Sequence, residues 1–202
     1  MFHNVLSSEQ LSLLPLVKEF KEEFYLVGGT AVALQIGHRE SIDFDLFKNG
    51  SYSVNRINKK ILQHGKIDRV KFESEDEYTI VINGVQFTFY DYPYDIIPDV
   101  KFERIINMPS LLTLGAMKAF ALGKRAKWKD YVDLYFILQT CSFADIVRRT
   151  QEIYLAQFNQ KLFRQQLSYY EDVRYDEEVY YKKGFKVSGV IVKKFLSKIA
   201  IS

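Results

Sequence analysis

The chain has little cysteine: Cys141 stands alone among 202 residues. One thiol excludes an intramolecular disulfide and a cysteine-built zinc site, and it suits a reducing compartment, so a cytoplasmic location is expected. Proline is scarce as well, at four residues, and no stretch rich in Pro, Gly or Ser reads as a flexible linker. No uncharged apolar run reaches the roughly 18 residues that a membrane-spanning helix needs. The N-terminus from Met1 to Glu9 lacks the basic start, apolar run and cleavage site of a signal peptide, so neither membrane insertion nor secretion is expected. Charge of one sign is also missing. The 28 basic and 25 acidic residues give +3 and a pI near 8.7, well short of a dedicated nucleic-acid coat, although a local basic patch remains compatible with phosphate binding.

Apolar side chains are plentiful. They make up 48% of the chain, with 16 Phe and 14 Tyr, which supplies a packed core and excludes a disordered polymer. The length fits one domain, or one with a helical appendage.

Ser8 to Val17 reads as a helix kinked or broken at Pro15. Phe24 to Val27 reads as a short strand, Thr30 to Ile36 as a helix ended by Gly37, and Ile42 to Phe47 as a strand alternating apolar and acidic residues. A helix over about 54–63 and strands near 70–73, 78–82 and 85–91 follow, with Asn83-Gly84 signalling a hairpin. From Pro109 onward helical periodicity takes over: about 110–122, 129–138, 144–157, 159–170 and 190–199. The expected fold is α+β, a mixed sheet flanked by helices over residues 1–108, with a mainly helical region over 109–202 packed on it.

Two features can carry chemistry. Gly28-Gly29-Thr30 lies between a strand and a helix, so backbone amides there can receive phosphate oxygens, with Thr30 offering a hydroxyl; the same dipeptide is also simply a tight turn. Asp43 and Asp45, two apart on a strand, put their carboxylates on one face with Cα atoms about 7 Å apart, which suits a hard divalent ion such as Mg²⁺ and equally describes a solvated strand face. Twelve residues separate Thr30 from Asp43. Strand, glycine turn, helix and acidic strand in that order is a more demanding coincidence than either piece.

The run from Phe24 through Gly28-Gly29-Thr30 to Ile42-Asp43-Phe44-Asp45-Leu46-Phe47 closely resembles the signature of AbiEii/AbiGii-type toxin nucleotidyltransferases, a bacterial branch of the polymerase-β-like superfamily. The resemblance continues through Asn83-Gly84-Val85, Tyr92-Pro93-Tyr94, Met117-Lys118-Ala119 and Lys129 to Phe136, covering about residues 20–140. It implies a Mg²⁺-dependent transfer of a nucleotidyl group from an NTP to an acceptor, the acceptor end of tRNA in toxins of this kind, and an antitoxin protein as partner. In that scheme Gly28, Gly29 and Thr30 hold triphosphate oxygens, Asp43 and Asp45 bind Mg²⁺, Lys118 points to the triphosphate, and Asp133 belongs to the active-site wall.

One departure stands out. The superfamily takes a third acidic residue from a later strand, and that position falls on Thr88. Asp91 can substitute only if a bulge reverses its face, and Glu73 and Glu75 are weaker substitutes. The alternative function is therefore a catalytically impaired protein of the same fold that binds nucleotide or protein.

Other positions carry two readings. Lys124, Arg125, Lys127 and Lys129 form either a solvated loop or a contact for an RNA backbone. Trp128 packs or stacks on a base. Asp130, near a helix start, has a capping role. His38-Arg39 is either surface loop or a phosphate or RNA contact, and the tyrosines from Tyr169 to Tyr181 suit a docking surface.

Overall fold

The first helical segment breaks where Pro15 requires it. In the computed structural model, which describes residues 1–201, α1 (Ser8–Ser12) ends at Leu13 and α2 (Leu14–Lys18) restarts with the proline in its first turn, where a missing N–H leaves nothing unpaired. The backbone divides into two units, one over Met1–Ser110 and a second from Leu111 onward.

In the first unit β1 (Tyr25–Val27) leads directly into α3 (Gly28–Ile36), followed by β2 (Asp43–Lys48), α4 (Val54–Ile61), β3 (Arg69–Glu73), β4 (Glu77–Ile82) and β5 (Val85–Asp91). The five strands form a mixed sheet in the order β1-β2-β5-β4-β3, with β2 and β5 parallel and the other neighbours antiparallel. Asn83 and Gly84 both have positive φ, the geometry of the two-residue turn that matches the natural strand twist.

Alternation along the strands sorts the sheet into two faces. Phe44, Leu46, Phe87, Phe89, Tyr78, Ile80 and Ile82 are buried on one. Phe89 packs edge-on against Phe20 and Phe24, with centroids 4.9 and 5.4 Å away, and the Tyr78 hydroxyl donates to Asn58 of α4 at 2.9 Å. Each large apolar side chain so buried contributes about 1.5–3 kcal/mol. The other face carries Asp43, Asp45, Gln86, Thr88, Thr79 and Glu77. A second, two-stranded sheet pairs β6 (Val100–Phe102) with β7 (Ile106–Met108), which strand patterning in the sequence does not announce.

The second unit is helical: α5 (Leu111–Leu122), α6 (Trp128–Ile137), α7 (Phe143–Tyr154), α8 (Gln160–Gln166) and α9 (Gly189–Ile201). Here α5 lies against α6 and α7, and α9 against α6 and α8. The protein thus has a mixed α+β fold with a helical C-terminal part. Among the described residues no helix is long and apolar enough to cross a membrane.

Candidate active site

The glycine turn exists because of what stands on each side of it. Gly28 has φ +70°, a backbone conformation that only glycine adopts without strain, and a Cβ there would run into the Asp45 carboxylate, with its Cγ at 2.9 Å. Gly29 is restricted by close approach instead. A Cβ on Gly29 would collide with the Arg39 guanidinium and stand 3.1 Å from the Ser41 hydroxyl. The pair therefore lies between a carboxylate and a guanidinium at the N-terminus of α3, where backbone N–H groups are free of intrahelical partners.

Thr30 ties this helix to the acidic strand. Its hydroxyl donates to the Asp43 carbonyl oxygen and lies 2.9 Å from the Ser41 hydroxyl, and the side chain is buried. The hydroxyl expected to meet a phosphate is thus engaged inside the protein, and it fixes the start of β2 relative to the glycine turn. The His38-Arg39 segment is not a surface loop: both residues are buried, and Arg39 Nη1 donates to the Glu40 carbonyl at 2.8 Å. Nothing in a Gly-His-Arg-Glu run signals that burial, because the guanidinium of Arg39 lies against the side-chain-free surface of Gly29, a contact made only in the folded chain.

Strand register settles which acids share a face. Asp43 pairs with Gln86, Asp45 with Thr88, and Thr88 in turn with Thr79 of β4, whose hydroxyl lies 3.4 Å from that of Thr88. Directly paired residues point the same way, so Thr88 stands beside Asp45 on its own face. The β2–β5 register runs unbroken from Asp43 to Lys48, and Asp91 pairs with Lys48 on the opposite face, where Oδ1 accepts the Gly50 N–H at 2.8 Å. The bulge that Asp91 would need is not there. Glu73 pairs with Tyr78 on the core side of the far-edge strand β3, which removes it too. Glu77, passed over in the sequence, does reach the acidic face, where it accepts the Thr79 hydroxyl at 2.8 Å. Among the described residues no three His, Cys, Asp or Glu side chains are grouped to hold one metal ion.

Two aspartates with a glycine cradle against one of them fit Mg²⁺ even so. This ion is commonly held by one or two carboxylates, with substrate phosphates and water completing the shell. Asp43 and Asp45 supply hard oxygens, and the missing side chain of Gly28 is what admits the Asp45 carboxylate to the start of α3.

In the second unit Lys118 sits within a buried charge cluster. Its Nζ lies 2.6 Å from Asp130 Oδ1 and 2.7 Å from Asp133 Oδ2, while Arg125 Nε approaches Asp130 Oδ2 at 3.3 Å. Lys118 is 7% exposed, Asp130 2% and Asp133 0%, so solvent does little to screen them. The spacing of Asp130 and Asp133 puts both on one side of α6, and both grip the lysine. Asp130 therefore does more than cap a helix. The neighbouring cations are also partnered: Lys127 and Lys129 meet the Glu177 carboxylate at 2.9 and 3.1 Å, and Lys124 lies 4.3 Å from the Phe120 ring centroid. The hydrogen bond from Lys127, aided by Lys129, holds the Glu177 carboxyl at about 2, well below its usual 4.5. Trp128 packs, with Tyr175 at 5.3 Å and Tyr131 at 6.1 Å between ring centroids.

Comparison with known proteins bears on this arrangement. The family model described as nucleotidyl transferase AbiEii toxin of a type IV toxin–antitoxin system matches residues 16–105. An uncharacterised protein of Aquifex aeolicus is 30% identical over 169 residues, covering 78% of each chain. Among solved structures, the nucleotidyltransferase toxin MenT4 of Mycobacterium tuberculosis aligns with a TM-score of 0.60 at 12% identity, over 95% of this chain and 80% of that one. JHP933 of Helicobacter pylori aligns with a TM-score of 0.61 at 15% identity, over 97% and 92%. At such identities these likenesses speak to fold.

Proposed function

Because the chain belongs to the AbiEii family of nucleotidyltransferase toxins, we propose that it transfers a nucleotidyl group from a Mg²⁺-bound NTP to an acceptor hydroxyl, with the acceptor end of tRNA as substrate and an antitoxin protein as its control. The observation that carries this reading is the Asp45 carboxylate resting against the bare Cα of Gly28 at the start of α3. Phosphate and carboxylate sites are thereby held side by side.

The division of labour follows from the residues. Backbone amides of Gly29 and Thr30 receive phosphate oxygens at the helix N-terminus, while the buried Thr30 hydroxyl keeps Asp43 in place. Asp43 and Asp45 hold the metal. When bound, Mg²⁺ supplies positive charge to the phosphate oxygens on which negative charge accumulates. The acceptor hydroxyl oxygen forms a bond to the α-phosphorus and gives up its proton to solvent, the bond from that phosphorus to the bridging oxygen breaks, and pyrophosphate leaves with the electron pair. Family membership also implies roles for Lys118 and Asp133, and Asp130 helps to fix the lysine's position.

A second reading is favoured by one observation. Thr88 occupies the place beside Asp45 where a third carboxylate would stand, and it offers neither charge nor basicity. A protein that binds Mg²⁺–NTP and turns it over slowly, or not at all, fits that arrangement.

The test is incubation with each labelled NTP, Mg²⁺ and total tRNA. Label entering tRNA in wild type but not in the Asp43→Asn, Asp45→Asn double variant supports transfer. Mg²⁺-dependent NTP binding without label transfer supports the second reading, and absence of both overturns the site.

A further inference from the structure

Beyond Asp45 the acidic face becomes aromatic. Phe47, two residues further along β2, points to the same side as Asp43 and Asp45 and pairs with Tyr90 of β5, their ring centroids 5.1 Å apart. Tyr92 closes on Phe47 at 5.0 Å and on Tyr90 at 6.0 Å, and Tyr94 stands 4.9 Å from Tyr92. These four rings are half-buried, whereas Phe44, Phe87 and Phe89 on the opposite face are fully enclosed. Core packing accounts for the enclosed rings, while the strip stays partly open to solvent.

A second observation lies beside the strip. Tyr25 is the β1 partner of Phe47, so its side chain leaves the same face. The residue is 93% buried (7% exposed), and its hydroxyl makes no hydrogen bond within the protein. Burial first, then the nearby Tyr92 and Asp95, push its pKa upward, so the phenol keeps its proton and stays a donor. An uncommitted buried donor beside half-buried rings, about 7 Å along the strand from the Asp45 carboxylate, is the combination that a nucleoside requires: rings for a base and a donor for a polar edge.

We propose that Phe47, Tyr90 and Tyr92 form the seat of the NTP base, stacking on it while Asp43, Asp45 and the glycine turn hold the triphosphate. This rests on the reading of the acidic face as an NTP site. Stacking is tolerant of base identity because every base has a π face, so purines bind somewhat more tightly than pyrimidines and no single NTP is strongly selected. The rings sit on strands next to the acidic pair, which places base and phosphates on one continuous surface.

Calorimetry on the full chain with Mg²⁺ separates the base seat from the phosphate site by comparing ATP with inorganic tripolyphosphate. Wild type should bind ATP roughly 10-fold more tightly than tripolyphosphate, and Tyr92→Leu and Tyr90→Leu should each remove most of that advantage while leaving tripolyphosphate affinity unchanged. Equal wild-type affinity for the two ligands overturns the base seat and leaves the triphosphate site standing. Binding of neither ligand overturns both. Equal wild-type affinity refutes the base seat even if a leucine variant fails to fold.

Discussion

The Asp45 carboxylate packs against the Cα of Gly28, so the residue that would bind metal and the residue that opens the glycine turn share one van der Waals surface. Their contact joins β2 to the start of α3, and the register Val27 to Asp45 brings the two strands into it. Gly28→Ala should therefore fail twice. The positive φ costs about 1–2 kcal/mol for an L side chain, and the added methyl must displace the carboxylate. We expect a melting temperature lower by several degrees and loss of Mg²⁺-dependent NTP binding. Thermal melting with calorimetry checks this, and wild-type affinity in Gly28→Ala would show that the turn does not shape the site.

Lys118 is a stability determinant as well as a candidate catalytic group. Lys118→Met leaves Asp130 and Asp133 buried together without their shared cation, and removing one partner of a buried pair commonly costs about 3–5 kcal/mol. Adding Asp130→Asn and Asp133→Asn should recover much of the lost melting temperature, because the uncompensated charges go with them. If Lys118→Met melts like wild type, the cluster is not structural and any activity lost in that variant is catalytic in origin.

Acid should loosen the second unit through Glu177. Its folded pKa, about 2, lies below the ordinary 4.5, so it contributes stability above pH 4.5 that fades as pH falls toward 2. The carboxylate is about 40% exposed, which limits the effect to no more than about 1 kcal/mol. At pH 7 wild type should melt slightly above Glu177→Gln, and the gap should close near pH 2. A gap that is constant with pH would mean that the contact with Lys127 and Lys129 is not electrostatic.

Much of this was legible in the sequence, and for physical reasons. Period-two alternation put Asp43 and Asp45 on one face, Pro15 broke the first helix, and Asn83-Gly84 closed a hairpin with the positive φ values its type demands. What escaped depends on partners distant in sequence. The strands β6 and β7 are three residues each, too short to show alternation. Arg39 looks like loop because its burial against Gly29 is a tertiary fact, and Asp130 looks like a cap because the lysine it holds lies a helix away. Glu77 reaches the acidic face through the register of β4, which no local pattern reveals.

Thr88 offers the sharpest test, because register places it directly beside Asp45. Thr88→Asp should add a carboxylate to the acidic face and raise nucleotidyl transfer, on the order of 100-fold if a missing metal ligand or base is what slows the reaction. The same substitution has a signature apart from activity. Three like charges repel without a cation, so the variant should melt below wild type in the absence of Mg²⁺ and gain more in melting temperature when the ion is added. Asp91→Asn should leave transfer unchanged, since its carboxylate faces away and serves the Gly50 amide. Transfer abolished by Asp91→Asn, with no gain from Thr88→Asp, would mean that β5 shifts its register in the working protein. A wild type already fast and indifferent to both changes would mean that Asp43 and Asp45 suffice, and the third acid would then be dispensable on this sheet.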